Sequence, residues 1–164
     1  MIKKLSILIL TMFNIGGSKF APGTVSSFVT CLLYIFFFNF QINIIFLILT
    51  VFLILIYSVY SIDKYKNSFS ETDAKEIVID EFIGQSIPIL TIYSFLEKND
   101  LDNFLLYVFF SFILFRLFDI WKPYPINKID QKIKNGFGVI LDDVIAGIYS
   151  VILLLTIIFF INDL

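Results

Sequence analysis

Apolar residues in this chain come in long runs broken by short polar stretches. Five runs stand out: Val25 to Phe40, Ile42 to Ile62, Phe82 to Leu96, Asp102 to Phe118 and Val139 to Ile161. A bilayer core asks for about 20 apolar residues per helix, and Ile42 to Ile62 meets that outright. The first and third runs are short, which predicts that they tilt less than the others or are partly buried against neighbours, and Pro88 inside the third predicts a kink. Ahead of them, Lys3-Lys4 followed by Leu5 to Ile15 reads as an uncleaved interfacial or re-entrant segment. The pattern predicts an all-α fold: one polytopic membrane helix bundle over residues 1–164, with about five spanning helices plus that short segment.

Composition supports the membrane. Of 164 residues, 59% are hydrophobic and 16% charged, and the mean hydropathy is +0.91. A water-soluble domain of this size has no use for so much apolar surface. A net charge of −2 offers nothing to a nucleic acid. Histidine is absent, which removes His-dependent phosphatases, Ser-His-Asp hydrolases and His-ligated zinc together. The lone Cys31 lies in an apolar run, so neither an internal disulfide nor a reactive thiol is expected.

Charge placement sets an orientation. Of the 12 Lys and Arg residues, all but Lys98 fall in the N-terminal part, the 63–81 loop or the 116–138 loop. The positive-inside rule makes that face cytoplasmic, with the N-terminus inside and the C-terminus outside.

The unusual polar motifs fall on the same face. Asp80-Glu81 stands at the mouth of one apolar run and Asp142-Asp143 just inside another. Carboxylates near a bilayer are costly, and adjacent ones repel, so a shared divalent cation is the economical explanation. Helix-dipole preference is the bland alternative for Asp142-Asp143. Ala146 and Gly147, one turn later, would let another helix approach closely. Asp73, Glu76 and Asp80 would share a helix face, with a merely solvated surface an equal reading for the first two. Arg116, Asp119 and Lys122 close the fourth run before Pro123. Snorkelling explains Arg116 and Lys122, and an aromatic belt explains Trp121 and Tyr124, but neither accounts for Asp119. Before the first run, Thr24 or Ser26 can cap a helix whose first N–H groups, with Lys19 nearby, would suit a phosphate.

Oxygen ligands without His or thiolate favour Mg²⁺. Carboxylates for a metal, Arg116, Lys122, Lys19 and Thr24 for a phosphate, and Asp119 as ligand or general base form the inventory of phosphoryl chemistry on a lipid. The nucleophile is either a water or an aspartate carboxylate. A small ion or solute transporter would need acids near the midplane, and none is there. A nucleotide-dependent lipid phosphotransferase shares the Mg²⁺ chemistry, but its expected Asp-Gly…Ala-Arg motif is missing.

Four stretches together resemble the phosphatidylglycerophosphatase A family: Ala21-Pro22-Gly23-Thr24, Lys75 to Gly84, Phe115 to Ile126, and Gly136 to Gly147. Ser26, Ala74 and Asn135 depart from the usual glycine, proline and glycine, and no charged motif residue is lost. The resemblance implies removal of the terminal phosphate of phosphatidylglycerophosphate, with Mg²⁺, at the cytoplasmic side of a bacterial inner membrane. It implies Asp80, Glu81, Asp119, Asp142 and Asp143 as acidic site residues and Arg116 and Lys122 as basic ones.

Overall fold

The structure, a computed structural model, describes residues 2–69, 74–97 and 99–162. Asp73 and Lys98, on which a helix face and the outer charge count partly rest, lie outside the described residues. The order of helices is α1 (Ile2–Leu10), α2 (Pro22–Asn39), α3 (Ile44–Tyr65), α4 (Ile79–Phe95), α5 (Leu101–Trp121), α6 (Ile126–Lys132) and α7 (Gly136–Asn162). No strand occurs among the described residues. Four helices (α2, α3, α5 and α7) are long and apolar enough to cross a membrane. At nine residues, about 14 Å, α1 is too short to do so.

A fifth helix, α4, is 17 residues long and packs alongside these four. It reaches the same two ends as α2: a Cβ on Gly23 would overlap the Glu81 carboxylate, and the Tyr93 hydroxyl donates to Phe37 O at 3.0 Å. α5 runs the other way, with Arg116 beside Gly23 and Phe104 stacked on Phe38 at a centroid distance of 3.9 Å. α7 runs parallel to α4, whereas Gly136 at its start meets Val59 and Asp63 near the end of α3. Five helices therefore share one depth.

Short α4 is central because it is surrounded. Ten of its 17 residues are buried, against five of 22 in α3, whose apolar side chains face outward. Burial of most α4 side chains frees it from needing an outward apolar stripe, and Gln85 in its middle finds Ser111 of α5 at 3.2 Å. Pro88 lies inside α4 without ending it. Lacking an N–H, it leaves the Gly84 carbonyl without its helical donor. That oxygen faces Gly147 of α7 so closely that a Cβ there would stand 2.5 Å away. Gly84 itself admits Asp143 O and the Phe115 ring, which a Cβ would meet at 2.7 and 2.6 Å. These two glycines let α4 and α7 pack backbone to backbone, which brings their acids together.

Helix ends differ from the sequence expectation in four places. α2 starts at Pro22, with Ala21 in the left-handed region (φ 40°, ψ 63°) as its cap, so neither Thr24 nor Ser26 caps it. Proline at the first helical position needs no N–H partner, which removes the demand for a side-chain cap. Ser26 instead is buried, bonding Val78 O at 2.7 Å. Glu76 lies in a turn before α4, so it shares no helix face with Asp80. α5 continues to Trp121, carrying Asp119 on helix, and α7 starts at Gly136, placing Asp142 and Asp143 in its second turn.

The N-terminal segment braces the site end. Ser6 and Tyr57 hydroxyls meet at 2.8 Å, and Val78 N donates to Leu10 O at 3.0 Å. Met12, Phe13 and Asn14 then turn through positive φ into a 3₁₀ turn, Ile15–Gly17.

Candidate active site

The acids arrive from two helices. Asp80 and Glu81 occupy the first turn of α4, and Asp143 the second turn of α7. One carboxylate oxygen from each lies within 4.8 Å of the others. Asp80 and Asp143 are buried. Glu81 Oε2 and Asp143 Oδ2 are buried with no hydrogen-bond partner. A buried carboxylate oxygen left unbonded is costly, so a trio that keeps two of them fits a cation that completes their bonding. All donors are hard oxygens, the set that suits Mg²⁺.

The partner acids are turned elsewhere. Asp142, next to Asp143 on α7, is not one of the three acids whose oxygens converge. Its Oδ2 takes Lys122 Nζ at 2.8 Å. Lys122 is the residue after α5 and adopts φ 45°, ψ 59°, a left-handed conformation that side chains seldom take. It also reaches Asp130 of α6 at 3.2 Å. Burial alone would pull the Lys122 ammonium down, but Asp142 and Asp130 outweigh it and hold the pKa above the ordinary lysine value. Asp119 pairs with Arg116 one turn earlier. Even so, Asp143 lies within electrostatic reach of Asp119, Asp80, Glu81 and Asp142, so the five acids share one neighbourhood.

A cavity of about 830 Å³ opens onto this cluster. Asp80, Glu81 and Arg116 line it at the bundle, and residues 16–19 and 74–77 form the opposing loops. Arg116 Nε is buried with no hydrogen-bond partner, a donor held at the edge of an acidic cluster. Lys19 is exposed and lines the cavity, whereas Thr24 is half-buried in the first turn of α2 and is not among the lining residues. Lys122 too is absent from the lining and acts on Asp142. Gly23 has to be a glycine here, since any side chain would displace Glu81.

Sequence reasoning missed three contributors. Gly16 to Ser18 follow the segment read as interfacial, Leu5 to Ile15, and drew no role, although Gly-Gly-Ser ahead of Lys19 was a loop signal. Lys75 sits inside a quoted motif yet drew no role. Asp130 carries no sequence signal that sets it apart from a surface acid.

Buried acids, a half-buried arginine and an open cavity at one end of an apolar bundle fit an integral-membrane phosphatase, the class that the comparisons with known proteins give. The family model for Phosphatidylglycerophosphatase A matches residues 8–158. The Haemophilus influenzae Phosphatidylglycerophosphatase A is 35% identical over 161 residues, 95% of this chain and 93% of that protein. The Escherichia coli protein of the same name is 38% identical over 78 residues, 48% of this chain and 41% of its own length. A Bacteroides thetaiotaomicron protein provisionally named phosphatidylinositol-3-phosphatase is 35% identical over 153 residues, covering 92% of this chain and 91% of that one. No solved structure matches. The chain belongs to the phosphatidylglycerophosphatase A family.

Proposed function

We propose that this chain hydrolyses the terminal phosphate of phosphatidylglycerophosphate to phosphatidylglycerol and inorganic phosphate, with Mg²⁺, at the cytoplasmic face of a bacterial inner membrane. The observation that carries this reading is the convergence of Asp80, Glu81 and Asp143 oxygens within 4.8 Å, with the half-buried Arg116 lining the same cavity as Asp80 and Glu81. Asp80, Glu81 and Asp143 would hold the ion. When bound, Mg²⁺ neutralises phosphoryl charge and makes a water more acidic. Arg116, which lines the cavity, would offer its guanidinium to the phosphoryl oxygens, and Asp119 would fix the guanidinium through their ion pair. Asp119 is also the acid best placed to accept a proton from an attacking water, since it stands outside the trio. Lys122 fixes Asp142 and adds positive charge behind the cluster. The cytoplasmic assignment rests on the Lys and Arg asymmetry of the sequence.

The Bacteroides relative supports a second substrate, phosphatidylinositol 3-phosphate. Both lipids carry a phosphomonoester on a polyol that a phosphodiester joins to the diacylglycerol. Phosphate release from these two lipids and from phosphatidic acid, each with Mg²⁺ and with EDTA, separates the readings. Fastest Mg²⁺-dependent release from phosphatidylglycerophosphate is expected. Release from another lipid with none from phosphatidylglycerophosphate would overturn the assignment.

A further inference from the structure

The cavity is larger than a phosphate group needs, and its two ends differ in charge. The bundle end carries Asp80, Glu81 and Arg116; the loop end carries Lys19 and Lys75, the two basic residues lining it besides Arg116. Those loops form one wall. Gly16 is packed against the Glu76 carbonyl so tightly that a Cβ would overlap it, and the Val78–Leu10 bond ties the end of α1 to the residue before α4 just behind. Lys19 and Lys75 are therefore carried on a braced surface facing the acids.

We infer that Lys19 and Lys75 bind the phosphodiester that remains on the product, while Arg116 and the acid trio take the phosphomonoester that leaves. This rests on the lipid-phosphatase reading above and adds the basis of headgroup selection. Backbone amides cannot do this work in the 16–18 loop: Gly16 N, Gly17 N and Ser18 N already donate to Thr11 O, Asn14 O and Ile15 O. An anion against the 16–18 loop is therefore held by side chains, and Lys19 and Lys75 bring the two ammonium groups that line this cavity. Glu76 lines the same wall, but the two lysines outnumber it. The chemistry selects a substrate with two phosphates separated by a polyol and disfavours a lipid with a single phosphomonoester.

The test uses the full-length protein in detergent–lipid micelles with Mg²⁺. The Lys19→Gln/Lys75→Gln double variant should raise KM for phosphatidylglycerophosphate by about tenfold, the scale of losing charge-assisted contacts. Its kcat should stay within about twofold, because neither lysine touches the reacting phosphate. Competitive inhibition by inorganic phosphate, which can occupy only the monoester end, should not weaken. Lys128→Gln removes an exposed charge outside the cavity and should leave KM where it was. An unchanged KM in the double variant would overturn the inference. So would a parallel loss of phosphate inhibition, or an equal rise in KM from Lys128→Gln, which would reduce the effect to general surface charge. Wild-type protein that releases no phosphate from phosphatidylglycerophosphate would instead refute the activity itself.

Discussion

The two ends of the bundle are built from the same helices and solve opposite problems. At the far end, aromatic groups close the structure: Phe38 stacks on Phe104, and Tyr93 packs edge-on against both. The Tyr93 hydroxyl lies 3.0 Å from Phe37 O and 2.7 Å from Ile42 O, meeting backbone groups where α2 hands over to α3. At the site end, burial comes without matching satisfaction. Glu81 Oε2, Asp143 Oδ2 and Arg116 Nε are all hidden from water and unbonded. One end is packed for stability, and the other holds buried polar atoms left without partners, the kind of site that suits a ligand. The difference predicts that substitutions at the two ends separate stability from activity.

The widest separation should come from Asp143→Asn. Losing one member of the trio should lower phosphate release by about 10³-fold, the scale of removing a group that stabilises developing charge. Thermal unfolding in detergent should not move downward, because the change relieves repulsion among buried carboxylates. EDTA should abolish wild-type turnover, with Mg²⁺ restoring it. Asp142→Asn should cost much less than Asp143→Asn, since Asp142 is committed to Lys122. Equal losses in the two variants would show that both acids act directly.

Gly84→Leu should join the two properties again. Its side chain would have to enter space held by Phe115 and the Asp143 carbonyl, at the crossing of α4 and α7. Overpacking of this kind costs about 1–3 kcal/mol or more. The midpoint of thermal unfolding should fall, and activity should fall with it, because α7 carries Asp143. A variant that unfolds normally and turns over normally would mean the helices are not held at this crossing.

Lys122→Met should be milder, lowering turnover by about tenfold through the loss of a charged hydrogen bond to Asp142. The linkage has a definite sign. A pKa raised in the folded state contributes stability that is complete below the ordinary lysine value and is lost only as pH rises through the higher folded value. The wild type should thus hold its thermal midpoint into alkaline solution further than Lys122→Met, and a shared alkaline decline would show that the Asp142 and Asp130 bridges are not what sustains it.

Much of this was legible in the sequence, for identifiable reasons. Long apolar runs report spanning helices directly, and acids at their mouths report a site because a bilayer tolerates few accidental carboxylates. Pairing within the site was not legible. Asp142 and Asp143 look equivalent as letters, and only the packing of α7 against α4 and the end of α5 shows that one meets Lys122 while the other joins Asp80 and Glu81. Helix starts at Pro22, Ile79 and Gly136 were missed because polar and small residues continue the helices past the apolar runs. Lys75 was passed over because a loop residue gains meaning only when another loop, here 16–19, folds against it.

The smallest effect should come from the far end, and it tests the comparison most cleanly. Tyr93→Phe keeps the ring, hence the packing on Phe38 and Phe104, and removes only the hydroxyl. Phe37 O and Ile42 O then lose the one part-buried hydroxyl donor they share, a loss of about 1 kcal/mol. Twelve residues of helix, about 18 Å, separate Tyr93 from Glu81, too far for the lost bond to reposition a carboxylate while α4 holds. The thermal midpoint should therefore drop by a few degrees with kcat and KM unchanged. A fall in kcat without a fall in midpoint would mean that the aromatic end sets the position of the acids, and the division between a stabilising end and a reacting end would not hold.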